Sequence, residues 1–292
     1  MSVSDNFSTF CSNLRMAKDT VSTIQTRYHQ ITKRINLDYW STDSETSHSL
    51  YVGSYGRGTE IWTSDIDVIV QLPYATYEKY NNYQGNGQSA LLQEVKGVLK
   101  KTYSQTDIKG DGQVVCVHFT DGINFEIVPG FINTDGTYTY PDTNNGGSWN
   151  TTDPKSEIDA MNERNNNTNK NLKRLCRMAR SWKGKQSVQM SGILIDTLAY
   201  KFIDSWSYKN ESYSYYDWMS RDFFAYLKDL NPEQSYWLAP GSNRYVWKNG
   251  NFQNKAKAAH SLALEAIEYE SNNHEYTSKQ KWREIYGTKF PG

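Results

Sequence analysis

Asp65 and Asp67 stand two residues apart in the run Asp-Ile-Asp-Val-Ile-Val-Gln-Leu. A strand has a period of two residues, so both carboxylates point to one face while Ile66, Val68 and Val70 point to the other. Two like charges side by side repel, and a structural role rarely calls for that. A divalent cation between them removes the repulsion, and oxygen ligands of this kind suit magnesium. Upstream, the short apolar run Leu50 to Val52 turns at Gly53-Ser54. Glycine lets the backbone come close to an anion, and serine offers a hydroxyl and an N–H to phosphate oxygens. Together these residues describe a place for a metal-bound nucleoside triphosphate.

Gly53-Ser54, ten intervening residues, then Asp65-Ile66-Asp67 on a hydrophobic strand resembles the signature of the polymerase-β-like nucleotidyltransferases. The fuller string Gly53-Ser54-Tyr55-Gly56-Arg57-Gly58-Thr59, with Ser64-Asp65-Ile66-Asp67-Val68, is similar to the bacterial cGAS/DncV-like nucleotidyltransferases, or CD-NTases. Those enzymes make cyclic or linear oligonucleotide second messengers. The resemblance implies two magnesium ions, replaceable by manganese, held by Asp65, Asp67 and a third carboxylate. Glu126 takes the third place: it is the only charged residue of its strand and lies three residues before Pro129, where many relatives have aspartate. Gly53 and Ser54 would grip the β- and γ-phosphates. In relatives a base two residues before a bulky apolar position also reaches the triphosphate. Arg180, two before Trp182, holds that place here, and Lys183 is the alternative. A serine that opens the next helix touches the triphosphate in relatives, and Ser191 stands there, where it also suits an N-cap.

The elements that must position these residues follow from the apolar pattern. Residues 5–35 read as one long amphipathic helix, with Phe7, Phe10, Cys11, Leu14, Ala17, Val21, Ile24, Tyr28, Ile31 and Ile35 at three- and four-residue steps. We read it as a spine against which two lobes pack. After Pro73 a tyrosine- and asparagine-rich loop runs to Gly87. A helix buries Leu91, Leu92, Val95, Val98 and Leu99, and a hairpin pairs Val114–Phe119 with Ile123–Val128 across Asp121-Gly122. Residues 132–154 read as a loop or loose hairpin. The second half reads as helical, with Lys173, Arg177 and Arg180 on one face, which is either solvated or turned to phosphate. Helices are expected near 216–230, 255–269 and 277–286. The run Asn165–Asn169 is either surface or a reader of base edges.

Composition narrows the partners. The 292 residues carry 32 basic and 32 acidic side chains, so no large basic surface is expected for a duplex, and a nucleic-acid template is disfavoured. Cys11, Cys116 and Cys176 lie far apart among apolar neighbours and read as buried thiols, with no disulfide framework and no zinc pattern. Without a signal peptide or membrane-length apolar run, the cytoplasm is expected.

The fold expected is α+β: a polymerase-β-like nucleotidyltransferase lobe with a mixed β-sheet and a helical C-terminal lobe, joined by the long spine helix. The corresponding boundaries are 1–37, 38–160 and 161–292. The resemblance implies a synthase of cyclic di- or trinucleotides from ATP, GTP or pyrimidine triphosphates. It further implies anti-phage signalling through a downstream effector and, at the terminal Gly292, conjugation to a partner amine. Transfer to RNA ends or another acceptor, and a nucleotide-binding regulator whose chemistry has lapsed, remain open at this point.

Overall fold

The computed structural model describes residues 2–62 and 65–292. Ser64, part of the signature string, lies outside them. By packing, the chain divides into two units. One takes in the chain up to Met16, Arg57–Trp62 and Ser156–Gly292; the other takes in Ala17–Gly56 and the described residues from there to Lys155 that follow Trp62.

The expected single spine helix is two helices, α1 (Val3–Asn13) and α2 (Lys18–Tyr39). Ser2 and Asp5 cap α1 reciprocally, and Ala17 takes an extended conformation (φ −59°, ψ 147°) that interrupts the ladder before α2. The apolar stripe runs across the break because two cores use it in turn. Phe7, Phe10, Cys11 and Leu14 belong to the core of the helical unit. Ile24, Tyr28, Ile31 and Ile35 are buried on α2, in the other unit. Ala17 and Val21, which complete the stripe in the sequence, are exposed.

The sheet unit continues with β1 (Ser49–Tyr51), α3 (Gly53–Arg57), β2 (Asp65–Gln71), α4 (Tyr74–Asn81), α5 (Gly87–Lys100), β3 (Asp107–Asp111), β4 (Val114–His118), β5 (Asn124–Ile132), β6 (Tyr138–Asp142) and β7 (Ser148–Thr152). The strand order is β1-β2-β5-β4-β3, with β6 and β7 extending from the end of β5. Among the described residues only the β2–β5 pair is parallel, so the sheet is mixed as expected. Ile66, Val68, Phe125, Ile127, Val115 and Val117 are buried, and α2 and α5 pack on the sheet and on each other. The stretch expected as a loop after Pro73 holds α4. Its tyrosines explain it: Tyr80 buries its ring and, with Lys79 and Tyr39, bonds to Glu94 of α5. Residues 132–154 form the β6–β7 hairpin.

The helical unit holds α6 (Pro154–Asn166), α7 (Asn171–Gln186), α8 (Gly192–Ser205), α9 (Tyr216–Asp229), β8 (Tyr236–Leu238), β9 (Tyr245–Trp247), α10 (Gln253–Ser271) and α11 (Glu275–Tyr286). Trp182, Phe223, Phe224, Phe252 and Phe290 fill its core, so much of the aromatic load of this half is packing. The asparagine run joins α6 to α7, with Asn169 and Lys170 at positive φ, where asparagine is tolerated. Phe290 is fully buried among Phe7, Phe10 and Trp282, and Gly292 is exposed. Among the described residues no helix is long and apolar enough to cross a membrane.

Candidate active site

The carboxylates gather because β2 and β5 run parallel in a fixed register. Asp67 lies opposite Glu126 and Asp65 opposite Asn124, so all four side chains share the face away from Ile66 and Phe125. Ile66, Val68 and Phe125 are wholly buried, which makes a one-residue slip costly and holds the acidic face in place. The Asn124 amide donates to Asp65 Oδ1 at 3.2 Å. Glu126 is raised above the usual carboxylate range, first by burial, then by the charges of Asp67 and Asp65 and a hydrogen bond shared with Asp67. On the neighbouring strand Cys116 pairs with Glu126, and burial together with that carboxylate pushes its thiol up to about 11.

Gly53 opens α3 at φ +60°, and a Cβ there would lie 1.8 Å from Asp67 Oδ2. Only glycine lets the backbone cross this close to the carboxylate. The preceding Val52 N–H donates to the Asp67 carbonyl at 2.9 Å, which extends the β1–β2 pairing to the turn and sets Ser54 one residue beyond it.

Asp65, Asp67, Glu126 and the Ser54 hydroxyl are all hard oxygen donors, the set that suits magnesium or manganese. Among the described residues no group of three or more His, Cys, Asp or Glu side chains is gathered as a metal cage. Asp65 instead engages Asn124 and Glu126 engages Asp67, the arrangement by which close carboxyls relieve repulsion without a cation. The donor chemistry fits a divalent ion.

The three candidates of the helical unit are placed less uniformly. Arg180 is neither solvated nor free: its guanidinium grips Asp196 with Nη1 to Oδ1 at 2.6 Å and Nη2 to Oδ2 at 2.9 Å, and donates to the Gly192 carbonyl at 3.1 Å. The same Asp196 accepts from Arg57 Nε at 3.0 Å and Thr59 Oγ1 at 2.9 Å. Burial alone would raise Asp196, but Arg180 and Arg57 hold it down at about 2. Arg57 also donates to Glu157, which Ser242 and Arg244 satisfy from the other side. Arg177 is likewise occupied, by the Gly58 and Glu60 carbonyls. Lys183, in the last turn of α7, is half-buried and makes no side-chain hydrogen bond or ion pair among the described residues. Ser191 caps α8 through Leu194 N–H at 3.2 Å. Asp196 was not singled out in the sequence; the signal was there, a lone acid in the apolar run Gly-Ile-Leu-Ile-Asp-Thr-Leu-Ala.

A profile of the second messenger oligonucleotide or dinucleotide synthetase domain matches residues 1–165. A probable cyclic nucleotide synthase of Bacillus cereus strain VD146 is 25% identical over 174 residues, 57% of this chain and 51% of that protein. The match therefore spans about half the length of that curated relative. In fold the chain resembles CdnC of Escherichia coli MS115-1, solved with ATP (TM-score 0.69, 17% identity, 99% of each chain). It also resembles the CD-NTase CdnG of Bradyrhizobium diazoefficiens, solved with GTP (TM-score 0.66, 9% identity, 97% of this chain and 94% of that one). The apo form of Vibrio cholerae DncV is similar too (TM-score 0.64, 15% identity, 99% and 87%).

Proposed function

The chain belongs to the family of second messenger oligonucleotide or dinucleotide synthetase domains, and from that premise we propose that it joins nucleoside triphosphates into a cyclic di- or trinucleotide with release of pyrophosphate. The observation that carries this reading is the parallel register that sets Asp67 beside Glu126, under the close pass of Gly53. ATP and GTP are the substrates we favour, because CdnC and CdnG have been solved with them.

Magnesium or manganese, held by Asp65, Asp67 and Glu126, would neutralise charge on the triphosphate and on the leaving pyrophosphate. The remaining work falls to the chain. Gly53 gives the backbone room beside the phosphates, and Ser54 donates to them through its hydroxyl. Glu126, set opposite Asp67 on the paired strand, takes the proton from the attacking ribose hydroxyl. Of the cationic candidates we assign Lys183 to the triphosphate, since Arg180 is spent on Asp196. Ser191 combines its cap with a phosphate contact. Positioning of the hydroxyl in line with the α-phosphorus supplies most of the rate.

Purified protein incubated with labelled triphosphates and magnesium or manganese should yield a phosphatase-resistant product on thin-layer chromatography. Asp67→Asn should abolish that product while melting no lower than wild type, because it removes one of the mutually repelling carboxyls. Product at the wild-type rate from the variant would overturn the site, and label transferred only to an added RNA would favour an RNA-end transferase. Family membership supports a role in anti-phage signalling in the cytoplasm through an effector that binds the product.

A further inference from the structure

A recess of about 200 Å³ in the helical unit takes no part in the proposed reaction. Cys11, Ser12, Arg15, Arg174, Arg177 and Tyr213 line it. Three of these six are arginines and none is acidic. Three guanidiniums around one small recess repel one another, in a chain whose formal net charge is zero. Burial lowers Arg177 below its ordinary value; the charge of Glu60 opposes this and that of Arg15 adds to it. Glu60 does not itself line the recess: it stands 3.8 Å from Arg177 Nη2, and burial raises its own pKa.

The guanidiniums are nevertheless held in place from behind. Arg177 donates through Nε to the Glu60 carbonyl at 3.0 Å and through Nη2 to the Gly58 carbonyl at 2.6 Å. Arg174 uses Nη1 for the Asn169 carbonyl at 3.1 Å, Tyr216 Oη at 3.2 Å and Asn171 Oδ1 at 3.4 Å, and its guanidinium carbon lies 4.8 Å from the centre of the Tyr213 ring. Among the described residues, Arg174 Nε and Nη2 and Arg177 Nη1 make no hydrogen bond. Forks fixed on one side with donors left over on the other are how arginine recognises phosphate, and the ordering entropy is already spent.

We propose that this recess binds the phosphate end of a small di- or polyphosphate metabolite, with Arg174 and Arg177 as the fixed fork and Arg15 closing over it from the turn between α1 and α2. Its volume, room for about seven waters, admits a diphosphate group and is too small for a duplex backbone. The inference is independent of the proposed reaction, so either can fail alone.

Inorganic pyrophosphate is titrated calorimetrically, in buffer containing a chelator, into wild type, Arg15→Glu, Ser12→Glu and Ser54→Ala. Arg15 and Ser12 are exposed, so both acidic variants should fold, and unchanged melting checks this. One saturable site in wild type and Ser54→Ala, weakened at least tenfold in both acidic variants, is the expected result. No saturable binding by wild type, or equal binding by the acidic variants, overturns the assignment. Loss in Ser54→Ala alone moves the pyrophosphate to the proposed triphosphate site and overturns it as well. A single-stranded oligonucleotide that binds through Arg15 while pyrophosphate does not would replace a metabolite with a nucleic acid.

Discussion

Asp217 and Asp196 are both buried carboxylates of the helical unit, and their surroundings drive them apart. Asp196 meets two guanidiniums and is held at about 2. Asp217 has no guanidinium hydrogen-bonded to it among the described residues; it accepts the Trp218 N–H at 2.8 Å, and burial raises it to about 6 from the ordinary 3.8. A folded-state pKa above the unfolded value stabilises the protein below the unfolded value, and that stability is lost as pH rises through about 6. Asp217→Asn should therefore be more stable than wild type at pH 7.5, by about 1–3 kcal/mol, with the advantage gone near pH 4. Urea unfolding at the two pH values reads this directly. Gly53 is constrained by space and by backbone at once. Gly53→Ala puts a Cβ 1.8 Å from Asp67 Oδ2 at a φ of +60°. It should cost product formation at least about a hundredfold and stability about 1 kcal/mol, measured by initial rate and by melting. Neither effect was visible in the sequence beyond the bare Gly-Ser, because the register that brings Asp67 under Gly53 is a tertiary fact.

At the scale of elements, period-two and period-3.6 patterns placed β2, β5, α5, α9, α10 and α11 close to where they lie. They failed where a pattern does not say which core it serves. The stripe from Phe7 to Ile35 reads as one helix because its apolar residues keep three- and four-residue steps across the break at Ala17. The break has its own test. Ala17 already has φ −59°, the value proline requires, and its N–H donates to no backbone group among the described residues. Ala17→Pro should shift stability by less than about 1 kcal/mol. In a continuous helix the same change would cost about 3 kcal/mol or more. Thermal or denaturant unfolding of this one variant separates the two arrangements. β3 escaped notice because Asp-Ile-Lys-Gly-Asp offers a single apolar residue to bury, and β8 and β9 because three-residue strands carry too little alternation to read.

Over the whole molecule, 32 basic and 32 acidic side chains cancel, and the sequence isoelectric point is about 7.0. Self-repulsion between copies is then weakest near neutrality, so solubility should be lowest around pH 7 and recover by pH 8.5 at low salt. Nephelometry across that range checks it. The carboxylate face was legible because its spacing is local and its residue types are costly to place together for any other reason. The cations were not, because a basic helix face looks the same whether it meets water, phosphate or a buried acid such as Asp196. That ambiguity has a practical edge in any variant library built on Gly53–Thr59. Changes at Gly53 and Ser54 strike the end of the string that passes close to Asp67. Changes at Arg57 and Thr59 leave Asp196 with fewer partners in the interior of the helical unit. Both groups would score as dead in a functional screen. Only the second would also vanish from the soluble fraction, so a screen without an abundance readout would credit Arg57 with chemistry it does not perform.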